Sequence, residues 1–324
     1  MKIIRLITIL LIFMISFQSP TISESKETIR IGTLQYGSVN WELDLIKKLE
    51  IDKKFNVDVE IVQLASKNAA AVALQGNSVD LIVTDWFWVS RQRTEKRMFS
   101  FIPHSMAAGG IMVNQNSELK KIGDLKGKKI GIAGGQIDKS WLIFRAYYLE
   151  KYGEDLVNVS EQVYGAPPLL NKKIEQGSFD AILTYWPYQA RLKTKDFVKV
   201  ISVKDVIKKL GIDSNVPVIG WVFRDEWAND NSSKLRRFIQ ASEEAKELMM
   251  NSDEVWESIK PSMRVKNEDV FISLREIYRE GIPRGFGQNQ VNSAAKLFNK
   301  LSIIGGKALV GNSTSLAKGT FWLQ

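Results

Sequence analysis

The stretch "SVDLIVTDWFWVSRQR" (Ser78–Arg93) is followed one hundred residues later by "SFDAILTYWPYQARLK" (Ser178–Lys193). Each copy runs from an acidic residue through an apolar segment and then breaks into aromatic residues. A short apolar run of this kind is typical of a strand that is buried in a parallel sheet. Because there are only two copies, so far apart, the repeat predicts two similar lobes and not a solenoid.

The likeness extends upstream of the two strands, where "ALQGNSVDLIVTDW" aligns with "IEQGSFDAILTYW". With one residue of slip, Gly76 matches Gly177 and Asp80 matches Asp180. Strand and helix patterns alternate in both copies, as in "TIRIGTLQYG", "FNVDVEIVQL" and "SKNAAAVALQGN", and again in "KKIGIAGG", "DKSWLIFRAYYLEKYG", "VSEQVYGA" and "PPLLNKKIEQG". This alternation predicts an α/β fold in which each lobe is a mainly parallel sheet flanked by helices.

Two further strand patterns, Ala107–Gln115 and Val216–Trp227, stand on either side of the second copy. They indicate that the chain crosses to a second lobe once and returns once, through two linkers that can act as a hinge. We therefore predict lobe I from residues 27–108 and 219–324 and lobe II from residues 109–218. The region after the second crossing carries apolar residues at helical spacing and is predicted to be mainly helical.

The first 23 residues have the pattern of a cleaved secretory signal peptide. Lys2 and Arg5 form a basic region, Leu6–Phe17 is almost wholly apolar, and small residues follow at Thr21–Ser23. A membrane anchor is the alternative, but the apolar run is shorter than the about 20 residues that a spanning helix needs. We expect export to a bacterial periplasm.

The composition of the chain excludes some covalent modifications and argues against a nucleic-acid partner. The 324-residue chain has no cysteine, which excludes disulfides and a cysteine-linked lipid anchor. Its formal net charge is +9, to which Lys2 and Arg5 contribute two, and the other basic residues are scattered among acids. The run Lys120–Lys129 is expected to be solvated surface, so no nucleic-acid partner is predicted.

Ligands of open parallel sheets bind at the carboxyl ends of the strands, which fixes where candidate site residues are sought. In the first lobe these ends lie at Gln35, Tyr36, Asn40, Trp41, Ala65–Asn68, Asp85, Trp86 and Trp88. In the second lobe they lie at Gly134–Trp141, which includes Gly135, Gln136, Asp138, Lys139, Ser140 and Trp141, at Gly165–Pro168, which includes Pro167, and at Tyr185, Trp186 and Tyr188.

The segment "AGGQIDKSW" (Ala133–Trp141) has the features of an anion site. Two glycines permit a tight turn, and Asp138 or Ser140 can cap a helix whose N–H groups attract anions. Lys139 adds positive charge. An ordinary capped loop between a strand and a helix is the alternative, and the glycine spacing of nucleotide-binding loops is not present.

Aromatic residues are unusually dense at the strand ends. Five of the nine tryptophans fall there: Trp41, Trp86, Trp88, Trp141 and Trp186. A flat or cationic ligand can stack on such rings while Asp85 pairs with a positively charged nitrogen. The alternative is that individual tryptophans belong to the core.

Catalysis and metal binding have little support. His104 is the only histidine and lies in neither copied motif, so we expect it to be structural. We predict no catalytic residue, no metal site and no cofactor.

The whole pattern resembles the type II periplasmic binding proteins of ABC transporters. The segments "IRIGTLQYGSVNW", "ALQGNSVDLIVTDW" and "IGDLKGKKIGIAGG" look like the nitrate/sulfonate/taurine and thiamine-pyrimidine group. The resemblance implies a monomer that closes two lobes on a small-molecule solute and delivers it to a membrane permease with its ATPase. It places ligand contacts near Gln35, Trp41, Asp85, Gly135–Trp141, Pro167 and Trp186.

The identity of the solute stays open at this point. The α-helix N-terminus with Lys139 favours a sulfonate or carboxylate, whereas Asp85 and the tryptophans favour an aromatic or heterocyclic amine such as a thiamine pyrimidine. Sulfonate binders usually have small Ser/Thr-rich loops where this chain has "GGQIDKSW" and "TDWFW". Two other classes remain as alternatives: an enzyme resembling the pyrimidine-forming enzymes of thiamine synthesis, and a periplasmic sensor domain.

Overall fold

The computed structural model describes residues 27–35 and 37–323. The predicted signal peptide and Tyr36 lie outside the described residues. The strands, in chain order, are β1 (Glu27–Leu34), β2 (Val57–Leu64), β3 (Leu81–Asp85), β4 (Phe99–Ser105), β5 (Gly110–Asn114), β6 (Lys129–Ala133), β7 (Glu161–Gly165), β8 (Ala181–Thr184), β9 (Phe197–Ser202) and β10 (Ile219–Arg224).

The helices, again in chain order, are α1 (Val39–Lys48), α2 (Ile51–Lys54), α3 (Lys67–Gln75), α4 (Trp86–Thr94), α5 (Lys139–Tyr152), α6 (Leu156–Val159), α7 (Pro167–Glu175), α8 (Trp186–Lys193), α9 (Val203–Lys209), α10 (Asp225–Asp230), α11 (Ser232–Asn251), α12 (Asp253–Met263), α13 (Glu268–Glu280) and α14 (Gln288–Val310). Within the described part of the chain, no helix combines the length and apolar character that a membrane crossing requires.

The strands form two sheets of five with the same internal arrangement. Their orders are β2-β1-β3-β10-β4 and β7-β6-β8-β5-β9. The first three strands of each order are parallel, and the fourth runs antiparallel to both of its neighbours. The chain leaves the first sheet after β4 and returns to it at β10. The predicted α/β fold with two similar, mainly parallel sheets is confirmed, while the exact lobe boundaries stay a prediction.

The repeated aspartates hold equivalent strand junctions in the two sheets. Asp80 accepts a hydrogen bond from the backbone N–H of Arg30 in β1 (2.8 Å), and Asp180 accepts one from the backbone N–H of Lys129 in β6 (2.8 Å). The backbone N–H of each aspartate is donated back to the carbonyl of the same partner. The repeat in the sequence therefore marks one local structure that is built twice.

The glycine correspondence needs a correction of one residue. Asn77 (φ +60°) and Gly177 (φ +72°) are the residues that take the left-handed conformation after α3 and α7. Gly76 has φ −88° and only ends α3. The slip in the alignment was wrong, because Asn tolerates the left-handed region well enough to replace Gly. From α3 and α7 through α4 and α8, the two halves correspond at a constant offset of one hundred residues.

Two strands were missed from the sequence. The first, β4, contains Pro103, which pairs with Gly220 beside a register shift, where the missing N–H is tolerated. The second, β9, is a short edge strand. The predicted strand at Ala107–Gln115 is reduced to β5, and the one at Val216–Trp227 to β10.

Helices from the two halves of the molecule also pack against each other. Near the C-terminus, α14 packs against α5 and α4, and α13 packs against α8. Trp186 and Ala190 of α8 belong to the apolar core that lies mainly under the first sheet. The C-terminal segment also pairs with the edge of the first sheet, since the N–H of Trp322 bonds to the carbonyl of Phe101 (2.9 Å).

Candidate functional site

The site is organised by two strand ends that pass directly into helices. No loop separates β3 from the next helix, since α4 begins at Trp86, the residue after the strand. Asp85 is the N-cap of α4, and its Oδ1 accepts a hydrogen bond from the N–H of Trp88 (3.0 Å). The carboxylate of Asp85 is thereby fixed at the carboxyl end of the first sheet, where ligands of such sheets bind.

Asp85 is joined to the second sheet by an ion pair. Nζ of Lys139, the first residue of α5, lies 2.9 Å from Asp85 Oδ2, and the two side chains are 27% and 13% exposed. Burial alone would raise the pKa of the Asp85 carboxyl, but Lys139, the Trp88 N–H and the more distant Lys67 outweigh it and the pKa is lowered. Asp85 is therefore an ionised, largely desolvated acceptor whose charge Lys139 balances.

A second carboxylate lies beside Lys139. Asp138 caps α5 by accepting hydrogen bonds at Oδ1 from the N–H groups of Ser140 (2.9 Å) and Trp141 (3.4 Å). Its Oδ2 accepts a hydrogen bond from the hydroxyl of Tyr185 (2.9 Å), the residue that corresponds to Asp85 in the other half. Burial and the neighbouring Asp138 raise the pKa of Tyr185, so the phenol stays protonated and acts as a donor.

This arrangement leaves little for a simple anion to bind. The side chains of Asp85 and Asp138 already occupy the N-termini of α4 and α5. Ser66 caps α3, and Pro167 and Pro168 at the start of α7 have no N–H to donate. We predicted that the α5 N-terminus and Lys139 bind an anion. In the structure, the α5 N-terminus binds the carboxylate of Asp138 and Lys139 binds that of Asp85.

An aromatic cluster from both lobes lies in the same region. The rings of Trp41 and Trp186 meet edge to face with centroids 5.8 Å apart, and each residue is only 6% exposed. Tyr278 and Trp256 complete the cluster, at 6.1 and 6.3 Å from Trp41. Neither Tyr278 nor Trp256 could be predicted as part of it, because both lie in helices whose packing partners are distant in the sequence.

The other predicted tryptophans are packed in the interior. Trp86 is 1% exposed, lies against Phe87, and donates its indole N–H to the carbonyl of Pro217 (2.8 Å). Trp141 is fully buried, whereas Trp88 is half-buried against Phe99. A role of these three rings in stacking on a ligand stays a prediction, and their immediate contacts are those of core residues.

The remaining predicted residues are distributed around the strand ends. Gln35, Gln136 and the segment Ala65–Asn68 are exposed, while Gly135, Ser140, Pro167 and Tyr188 are half-buried. Asn40 donates Nδ2–H to the carbonyl of Leu34 (2.9 Å), which fastens α1 to the end of β1. Its Oδ1 is buried and, among the described residues, has no hydrogen-bond donor. Asn40 thus carries an acceptor that a solute with N–H groups can use.

A buried polar network surrounds Glu42, the residue that follows Trp41 in α1. No pattern in the sequence indicated this network. Glu42 accepts hydrogen bonds from Ser242 (2.6 Å) and Tyr278 (3.2 Å), and lies 3.5 Å from both Lys246 Nζ and His104 Nδ1. Burial and Lys246 hold the pKa of His104 well below its usual range. His104 is consequently a neutral core residue, and its predicted structural role agrees with its 1% exposure.

A cavity of about 520 Å³ lies at the opposite end of the second sheet. It is lined by residues before β8, such as Gly177 and Phe179, and by Lys195 before β9, whereas Tyr185 follows β8. None of Asp85, Lys139, Asp138 and Tyr185 lines this cavity. Among the described residues, no group of three or more His, Asp or Glu side chains is arranged to hold a metal ion.

Solved structures with the same two-sheet architecture include sulfonate-binding proteins of ABC transport systems. The aliphatic sulphonate binding protein SsuA from Escherichia coli superposes with a TM-score of 0.72 at 17% identity, covering 92% of this chain and 93% of that chain. The alkanesulfonate-binding protein SsuA from Xanthomonas axonopodis pv. citri, bound to MOPS, gives a TM-score of 0.67 at 15% identity, covering 91% and 98%. An ABC transporter from Parabacteroides distasonis gives 0.67 at 12% identity, covering 92% and 99%.

The fold is therefore the two-lobe fold of periplasmic binding proteins. The family model described as NMT1/THI5 like matches residues 53–254, more than half of the chain. The chain belongs to this family, as the resemblance in its motifs predicted. Among curated protein sequences, none matches the chain.

Proposed function

We propose that this protein is the periplasmic solute-binding component of an ABC importer, a monomer that closes two lobes on a small organic solute and delivers it to a permease and its ATPase. The observation that carries the proposal is the contact between Asp85, at the end of a first-sheet strand, and Lys139, at the start of a second-sheet helix. Charged side chains of both lobes converge where solutes bind in this architecture. The predicted signal peptide supports export.

The charges favour a cationic aromatic or heterocyclic amine over a simple sulfonate. Asp85 is ionised and can pair with a positive nitrogen, and Asn40 Oδ1 is a spare acceptor. The N-termini of α4 and α5, which could each bind a sulfonate, are filled by Asp85 and Asp138. Trp41 and Trp186 supply aromatic surface from opposite lobes when they separate around a ring.

We infer that the protein is not an enzyme. Its only histidine is buried beside Glu42, outside the cluster of Asp85, Lys139, Asp138 and Tyr185. The four groups of that cluster pair with one another, and none is both free and positioned as a base or nucleophile. The sensor alternative predicts the same binding site, so we favour transport on the family resemblance alone.

A thermal-shift panel of paired compounds tests the solute class. Benzylamine and benzenesulfonate share a ring and differ in charge, and 4-amino-5-hydroxymethyl-2-methylpyrimidine and taurine extend the comparison. A solute at 100 times its Kd stabilises the folded state by about 2.7 kcal/mol, which is readily detected as a rise in Tm. We expect amines to raise Tm and benzenesulfonate to have no effect. Stabilisation by benzenesulfonate alone would contradict the assignment.

The variant Asp85→Asn tests whether the charge of Asp85 binds the amine, and Asp155→Asn is its control. Asp155 also caps a helix, α6, and pairs with an arginine, Arg145, at 2.7 Å, and its side chain is 17% exposed. We expect Asp85→Asn to weaken amine binding at least tenfold, about 1.4 kcal/mol, because a charge-assisted contact is lost. Asp155→Asn should leave the affinity unchanged.

A further inference from the structure

The charged contact across the cleft joins two of the protein's own side chains, and this has a consequence for how a solute enters. Lys139 Nζ lies 2.9 Å from Asp85 Oδ2, as a bound ammonium group would. Asp138, a second carboxylate at this end of the sheets, is already bonded to Tyr185 and to two backbone N–H groups. The position of a cation next to Asp85 is thus filled by Lys139.

Building on the proposed function, we propose that Lys139 is an internal counter-ion that holds the two lobes together until the positively charged nitrogen of a solute takes its place at Asp85. The pair is partly shielded from water, so its attraction is screened less than that of a surface pair. Opening the lobes hydrates both charges and separates the Trp41 and Trp186 rings, which meet at the same interface.

The exchange also selects for charge. When a cationic solute displaces Lys139, Asp85 keeps a counter-ion and Lys139 is released to water or to an anionic group on the same solute. When a neutral or purely anionic solute displaces it, Asp85 is left desolvated without a partner, which is strongly unfavourable. Lys139 therefore imposes a requirement for a positively charged nitrogen on the solute. It also lowers the apparent affinity, because only the molecules that are not locked can bind the solute.

Inter-lobe distances measured by double electron-electron resonance test the lock without any solute. The chain has no cysteine, so spin labels can be attached selectively to Val72→Cys in α3 and Leu169→Cys in α7, which are 69% and 53% exposed. We expect wild-type protein with these labels to give a short distance distribution. Asp85→Asn and Lys139→Gln should each shift the distribution to longer distances.

Lys300→Gln is the control for a general loss of inter-lobe charge. Lys300 of α14 forms an exposed ion pair with Glu150 of α5, away from the cleft, and exposed pairs contribute little. Its distance distribution should match that of wild type. If Lys139→Gln also matches wild type, the lock is overturned, whichever solutes bind.

Titration with benzylamine then tests the displacement. If the locked form makes up about 90% of the molecules or more, Lys139→Gln should bind benzylamine at least about tenfold more tightly than wild type. Equal or weaker binding by Lys139→Gln would overturn the competition between Lys139 and the solute. A shift in distance without binding of any amine in the panel would leave the lock standing and refute the solute class of the proposed function.

Discussion

Asp80 and Asp180 perform one task in the two halves, in different surroundings. Asp80 is buried and holds both the backbone N–H and the guanidinium of Arg30, with contacts of 2.7 to 3.2 Å. Asp180 is exposed and holds only the backbone N–H of Lys129. Because a buried acceptor with charged donors is costly to replace, the two sites should differ in their contribution to stability.

We predict that Asp80→Asn lowers the free energy of unfolding by about 1 to 3 kcal/mol, since an amide cannot accept from both the N–H and the guanidinium as the carboxylate does. Asp180→Asn, in the equivalent position of the second half, should change it little. Urea unfolding followed by tryptophan fluorescence measures both. An equal loss in the two variants would show that burial does not set the contribution.

At the scale of elements, the long regular helices and strands were predictable from local pattern. The α5 helix begins after the predicted cap Asp138 and ends at Gly153, which has φ +75° as a left-handed cap requires. The strands that were missed contain residues that locally argue against a strand. Pro103 within β4 is an example, and tertiary pairing overrides its preference. The ion pair between Asp85 and Lys139 could not be predicted from the sequence. Each residue alone fitted a role in binding a ligand, and no local pattern shows that the two side chains pair.

The junction of β4, α1, α11 and α13 gives a prediction for pH. The pKa of His104 is lowered from its ordinary 6.5 by burial and by Lys246, and its nearest carboxylate is Glu42. As pH falls below about 6.5, the unfolded chain binds a proton at this histidine and the folded protein does not. Stability should therefore be fully present above that pH and decline below it.

Urea unfolding between pH 5 and 8 tests this dependence. Since His104 is the only histidine, the slope near pH 6 should disappear in His104→Gln, while the carboxylates titrate at lower pH. A wild-type slope that is absent, or that persists unchanged in His104→Gln, would show that another group controls stability in this range.

At the scale of the molecule, the repeat in the sequence was sufficient to predict two similar lobes and a double crossing of the chain. It was not sufficient to predict how closely the lobes are joined. Trp186 of the second half inserts into the core of the first, and α14 packs on α5. These contacts join residues that are far apart in the sequence, so no local pattern encodes them. The boundaries at residues 108 and 219 stay predictions.

In the proposed function, the two lobes close on a cationic solute at Asp85. Isothermal titration calorimetry of the solute that raises Tm most in the panel, with wild type and with Asp85→Asn, tests it most directly. We predict a solute with a positively charged nitrogen and an affinity that falls at least tenfold in Asp85→Asn, about 1.4 kcal/mol. A solute without such a nitrogen, or an affinity that Asp85→Asn leaves unchanged, would contradict it.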